Sequence, residues 1–237
     1  GCGVRAISSM ATRLVLADLG SAAAEAGLPS VEIESVGGVD AAQRVASGEE
    51  WDLVFLASDA LAKLAATGDV DAATIVPLLL SQVAIAVRSE GAEPAARPAG
   101  AAFENAAGVR DALIAAPLIG YSTGPSGTAL REMISRWGLE DQLASRLVQA
   151  RPGIPVAASL AAGEVSLGFQ QLSELVGQPG IRILGVMPSD CAIDTVFAGA
   201  VATTATDPHE AQSVLDYFAS GSTVSIKAAH NFGVAPR

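Results

Sequence analysis

The alternation of short apolar runs with longer amphipathic ones, each pair closed by a glycine, constrains this fold most. Residues 4–7 read as a strand and 11–26 as a helix ended by Gly27. Residues 30–36, with Val31, Ile33 and Ser35 in alternation, read as a second strand, and 40–47 as a helix closed by Gly48. Residues 53–56 make a buried strand, and 60–66 a helix capped by Gly68. A strand–helix unit repeated in this way predicts a parallel sheet with helices on its faces. Such sheets hold ligands at the carboxyl ends of their strands.

A second section begins near Val83. The apolar run 75–87 is interrupted by Pro77, Ser81 and Gln82, which predicts a buried strand and crossover. No run approaches the roughly 20 residues a membrane span needs. A strand is expected at 83–87, a Pro/Ala/Gly loop at 91–100 and a helix at 109–115. A strand at 118–121 and a helix at 127–137, ended by Gly138, come next. A strand at 147–150, a helix at 154–162 stopped by Gly163 and a strand at 165–169 complete the section. Residues 195–202 read as a further strand, and 208–220 as a last helix behind Asp207, a good N-cap.

The segment LIGYSTGPSGTALREM, Leu118 to Met133, carries the clearest chemistry. Its strand stops at Tyr121, and the small residues Ser122, Thr123, Gly124, Pro125, Ser126, Gly127 and Thr128 precede a helical pattern from Ala129. Free N–H groups and the positive end of a helix dipole suit such a turn to an anion. No lysine follows the glycine, so this is not a nucleotide P-loop. Comparable small residues end the earlier strands: Ser8, Ser9 and Met10; Ser35, Val36, Gly37 and Gly38; Ala57, Ser58 and Asp59. Each group alone is ordinary turn and cap chemistry. Together, at one edge of two α/β sections, they predict a surface lined with hydroxyls and N–H donors. Arg151 follows the strand at 147–150, and a guanidinium grips a carboxylate in bidentate fashion. Arg131 and Arg13 read as solvent-exposed. Gln170 and Gln171 end the strand at 165–169, where they either bond a ligand or brace the structure.

Composition excludes other functions. The 25 acidic and 14 basic residues give a net charge of −11, against a nucleic-acid partner. A small anion remains compatible, because a local nest of donors outweighs a distant field screened over about 10 Å. Cys2 and Cys191 stand too far apart in sequence to suggest a disulfide framework, and each reads as a buried or stray thiol. No apolar signal-like segment precedes Val4. His209 and His230 lie outside any catalytic context. No G-x-S-x-G, H-E-x-x-H, C-x-x-C or Rossmann glycine fingerprint is present. No catalytic residue, metal site or cofactor is expected, and a binding protein is.

Five segments together resemble the type II extracytoplasmic solute-binding proteins of ABC transporters, in the branch similar to molybdate-binding proteins. They are VRAISSMATRLVLADL, IESVGGVDAAQRVASGEEWDLVFLA, YSTGPSGTALREMISRWGL, RPGIPVAASLAAGEVSLGFQQLSEL and PHEAQSVLDYFAS. The resemblance implies a two-lobed α/β fold, each lobe a mostly parallel sheet flanked by helices, with the ligand in the cleft between them. Lobe one is expected at 1–81 plus 195–237 and lobe two at 82–194. A periplasmic or other extracytoplasmic location, a monomer and an ABC permease as partner are implied. Molybdate binders use serines and N–H groups at the first two strand ends. The first of these serines falls on Ala11 here and the second on Ser35, while their late tyrosine has no match between Gln171 and Leu175. The donor set expected for the ligand is Ser8, Ser9, Met10, Ser35, Gly37 and Ser58 from lobe one. Lobe two is expected to supply Tyr121, Ser126, Gly127, Thr128, Arg151 and Gln170. It suits a di- or tricarboxylate of the citrate or aconitate kind. Molybdate or another tetrahedral oxyanion is the alternative ligand. A cytoplasmic effector-sensing domain and an enzyme on the same fold are the alternative functions.

Overall fold

The computed structural model describes residues 3–151 and 153–235, so the Cys2 thiol lies outside the described residues. The chain forms two compact units. One comprises the chain up to Leu80 and from Thr195 onward, the other Ser81–Asp194.

The first unit opens with β1 (Val4–Ser9), α1 (Arg13–Glu25), β2 (Val31–Val36), α2 (Gly38–Ala46), β3 (Leu53–Ala57) and α3 (Ser58–Ala66). β1 lies between β2 and β3 and is parallel to both. Strand alternation sorts its side chains: Val4 and Ala6 join Leu16 and Leu19 of α1, while Ile7 joins Val45 of α2 and Leu61 of α3. Gly27, Gly48 and Gly68, the expected helix stops, have φ of +89°, +95° and +77°. That left-handed conformation ends a helix without Cβ strain.

β4 (Val76–Arg88) runs from the first unit into the second. The strand expected from Val83 therefore starts at Val76. Pro77, its second residue, is tolerated because a missing donor costs little at a strand's start. The second unit continues with α4 (Ala106–Ala115), β5 (Ile119–Tyr121), α5 (Pro125–Arg136), α6 (Glu140–Leu143) and β6 (Leu147–Gln149). It ends with α7 (Val156–Ala161), β7 (Leu167–Gln171), α8 (Leu172–Leu175) and β8 (Ile181–Val186). α4 starts before the expected residue 109 because the Asn105 side chain caps it, accepting from Gly108 N–H at 3.3 Å. β5 is parallel to β6 and β7, and β4 is antiparallel to β7 and β8. α8 and β8 are additions to the sequence reading. One is a single turn, and the other carries Gly185 (φ +152°), beside which the β4 pairing shifts register. A Cβ at Gly185 would lie 2.4 Å from Ala102 N. α4 and α5 cover one face of this sheet, and α7 and α8 the other.

The chain re-enters the first unit through β9 (Asp194–Val201), antiparallel to β3, followed by α9 (Pro208–Phe218) and α10 (Val224–Ala229). Asp207 caps α9 as expected, accepting from His209 N–H and Glu210 N–H, both at 3.1 Å. Phe218 stacks on Phe55 with centroids 5.5 Å apart. Gly199 makes the room: a Cβ there would sit 2.6 Å from Leu215 Cδ1 and 2.8 Å from Phe55. His230 Nε2, 2.6 Å from an Asp18 oxygen, ties the end of α10 to α1.

Candidate functional site

In the first unit the carboxyl ends of β2, β1 and β3 lie side by side, each leading into a helical segment. Ser8 pairs with Ser35 in register, and their hydroxyl oxygens are 2.7 Å apart. Ser8 is fully buried and donates to the Ser9 carbonyl at 3.0 Å, so the proton between the two serines comes from Ser35. Both hydroxyl protons expected to serve a ligand are thus committed inside the protein. Ser58 is committed as well, donating to Val196 O of β9 at 3.2 Å.

Ser9 differs. It is 7% exposed, and its Oγ is enclosed with no hydrogen-bond partner among the described residues. An unpaired buried hydroxyl costs about 1–3 kcal/mol, so its retention calls for an explanation. Being one residue after Ser8, it faces the α2 side of the sheet. Its Cβ lies 3.7 Å from where a Gly38 Cβ would be, at the first turn of α2. Gly37 caps that helix in extended conformation, without a side chain, and its carbonyl accepts from Ala41 N–H at 2.9 Å. Asp40 sits in the same first turn and opposes an anion there. Met10 is exposed and brings no polar side-chain donor, and Ala11 is exposed beside it.

In the second unit β6, β5 and β7 end together in the same parallel sense. α5 begins at Pro125, ahead of the expected 127–129, because proline favours a helix's first position. Ser126, Gly127 and Thr128 are therefore its first turn. The N–H groups of Gly127 and Thr128 already donate to Gly124 O, at 3.1 and 3.2 Å, so the donor-rich loop is narrower than its sequence suggests. Ser122 and Ser126 share one hydrogen bond at 2.8 Å, which leaves one of their two protons for an outside acceptor. Gly127 allows this closeness, since a Cβ there would lie 1.9 Å from Ser122 O.

Tyr121 is buried, and its hydroxyl accepts from Arg131 Nη1 at 2.8 Å. Arg131 covers the tyrosine ring and lies 3.9 Å from Glu140, so the arginine expected in solvent is engaged. Arg151 is exposed and has no side-chain partner among the described residues. Its carbonyl accepts from Ile154 N–H at 2.9 Å, closing the turn that leads towards α7.

The two glutamines of β7 diverge. Gln170 is 6% exposed and bonded at both ends: Oε1 accepts from Val156 N–H at 3.0 Å, and Nε2 donates to Glu174. Gln171 is also buried, on the α5 side with Phe169, and its carboxamide has no partner among the described residues. Gln170 is thus bonded within the protein at both ends of its amide, and among the described residues Gln171 at neither. Glu174 is the residue sequence reasoning missed. No periodic signal pairs it with Gln170, because Gln170 lies on strand β7 and Glu174 on the α8 turn that follows it. Desolvation pushes the Glu174 carboxyl above the ordinary range, and the Gln170 bond opposes that shift.

No group of three or more His, Cys, Asp or Glu able to hold a metal occurs among the described residues. Cys191 is half-buried, and desolvation, aided by the Asp190 charge, raises its thiol pKa against the pull of Arg110. None of the helices among the described residues is long and apolar enough to cross a membrane.

Comparison with known proteins agrees with this architecture. The profile of the family described as bacterial extracellular solute-binding protein matches residues 4–233. An aconitate isomerase from Pseudomonas sp is 35% identical over 196 residues, covering 81% of this chain and 70% of the relative. The fold matches a substrate-binding domain assigned to a molybdenum ABC transporter of Clostridium difficile (TM-score 0.79, 15% identity, 98% of this chain and 99% of the other). It also matches the periplasmic molybdate-binding protein of Azotobacter vinelandii (TM-score 0.70, 17% identity, 99% and 100%). At those identities the two structures speak to fold alone. The chain belongs to the bacterial extracellular solute-binding protein family, with the type II, molybdate-binding-like fold.

Proposed function

We propose that this protein captures a small organic di- or tricarboxylate outside the cytoplasm and delivers it to an ABC permease. The observation that carries the reading is the enclosed Ser9 hydroxyl, without a partner beside the first turn of α2. Removing its hydroxyl should cost the ligand and not the fold. The second unit offers the spare Ser122/Ser126 proton, the unpaired Gln171 amide and the exposed Arg151. One guanidinium among neutral donors can grip a carboxylate in bidentate fashion. The 35% identity to a protein named for aconitate supports that chemistry over molybdate. The lobes expected from the sequence correspond in this reading to the two compact units.

Isothermal titration with citrate, cis- and trans-aconitate, a dicarboxylate, molybdate and sulfate tests the proposal. Saturable heat with the carboxylates, reduced at least tenfold in Ser9→Ala, is expected. Absence of heat and of any thermal shift with all of them defeats it. The same relative supports a second reading, isomerisation of the bound acid. Proton NMR of trans-aconitate incubated with the protein distinguishes the two, because only turnover produces the signals of a new isomer.

A further inference from the structure

The Gln170 brace has a definite job within the second unit. α7 lies close on β7 because Gly168 has no side chain: a Cβ there would be 2.7 Å from both Val156 Cγ1 and Leu160 Cδ1. That approach puts Val156 N–H, the first of the helix, within reach of Gln170 Oε1. An unsatisfied first-turn N–H is thereby capped from the neighbouring strand and not from the loop itself. The loop's own candidate cap, Pro155, has no side-chain donor or acceptor. The amide's orientation is forced by its partners. Val156 N–H only donates and the Glu174 carboxylate only accepts, so Oε1 must face the helix and Nε2 the carboxylate. Glu174 sits on α8, the turn that follows β7 directly, so strand, helix and carboxylate form one chain of bonds. Two residues before Val156, Ile154 N–H donates to Arg151 O at 2.9 Å, and the Arg151 side chain has no partner among the described residues.

We infer that Gln170, held in orientation by Glu174, is a positioning residue that sets the start of α7 and so presents Arg151 to the ligand. This rests on the anion-binding reading above. It moves Gln170 from the group that touches ligand to the group that places one. It also gives Glu174 a role as the acceptor that locks the amide. The desolvation that raises the Glu174 carboxyl is consistent with a group kept for its contact and not for solubility.

The test compares Gln170→Met, which keeps length and volume but loses both bonds, with the exchanged pair, Gln170→Glu combined with Glu174→Gln. In the exchanged pair the new carboxylate at position 170 accepts from Val156 N–H and from the new amide at position 174, so both bonds return. Amide hydrogen exchange at Val156 in ligand-free protein should quicken about tenfold or more in Gln170→Met and recover in the exchanged pair. Citrate affinity should fall about tenfold and recover in the same pattern, as should the melting temperature, which loses a few degrees in Gln170→Met because a buried donor is stranded. Val156 exchange unaltered in Gln170→Met overturns the brace. Exchange altered with citrate affinity unaltered overturns the positioning role and leaves the binding reading standing. If the wild type binds none of the anions, the binding reading and the presentation of Arg151 fall together. The exchange data then decide only whether the brace exists.

Discussion

Replacing Gly127 with alanine sets two effects of opposite sign against each other. Gly127 is the third residue of α5, and in an open helix the change gains up to about 1 kcal/mol. Here the new Cβ would stand 1.9 Å from Ser122 O, 2.9 Å from Ser122 C and 3.0 Å from Tyr121 Cδ2. Real Cβ contacts essentially never fall below 3.0 Å, so helix and carbonyl must part by at least 1.1 Å (3.0 − 1.9). The obstacle is backbone at the end of β5, where the adjacent Tyr121 carbonyl is held by Ala150 N–H at 2.8 Å, so no rotamer change relieves it. Overpacking of this kind typically costs about 1–3 kcal/mol, and a rigid backbone obstacle falls at or beyond the upper end. The expected net loss is about 2 kcal/mol, a fall in Tm of about 4–8 °C for a chain of this size. Gly124→Ala is the control. Its Cβ meets nothing within 4 Å and its φ is −85°, so its stability should change by no more than about 0.5 kcal/mol. Thermal and urea unfolding of both variants decide the matter. Gly127→Ala melting at or above wild type would refute the claim that close packing at Ser122 governs this turn.

Other expectations follow from the same contacts. Ser8→Ala strands the Ser35 proton and should lower stability by about 1 kcal/mol in urea. Ser9→Ala removes an unsatisfied hydroxyl and should leave stability equal or higher by up to about 1 kcal/mol. The reverse order would show the two hydroxyls misassigned. Asp207→Ala removes two accepted N–H bonds at the start of α9 and should cost about 1 kcal/mol by chemical denaturation. Desolvation raises the carboxyl pKa of Asp194 and Glu174 above the ordinary values of 3.8 and 4.5. The folded protein then holds these protons more tightly than the unfolded chain. Their contribution to stability should decline as pH rises from those values through the raised folded pKa, and stay flat above it. Urea midpoints measured across that window should decline less in Asp194→Asn and Glu174→Gln than in wild type.

Much of the first unit was legible. β1, β2 and β3 and their helices carry clean alternation or 3.6-residue periodicity, and Gly27, Gly48 and Gly68 mark helix ends with a conformation other residues avoid. The second unit was less so. The β4–β8 pairing shifts register beside Gly185, where the backbone approaches Ala102 from more than eighty residues away, a relation local pattern does not carry. β4 hid its first half behind Pro77 and Ser81. At the candidate site the sequence indicated which residues gather at strand ends. It did not indicate which of them keep a free hydrogen bond.

That difference is physical. Periodicity, caps and glycine stops are short-range properties, and they settled by themselves that this chain alternates strands with helices and places small polar residues at the strands' carboxyl ends. Hydrogen-bond satisfaction is a property of neighbours distant in sequence. Ser8 and Ser9 are adjacent and chemically identical, as are Gln170 and Gln171. Only the tertiary structure decided that Ser8 is committed to Ser35 and Gln170 to Val156 and Glu174, while Ser9 and Gln171 remain unpaired among the described residues. In a strand, consecutive side chains face opposite sides, so identical neighbours meet different partners.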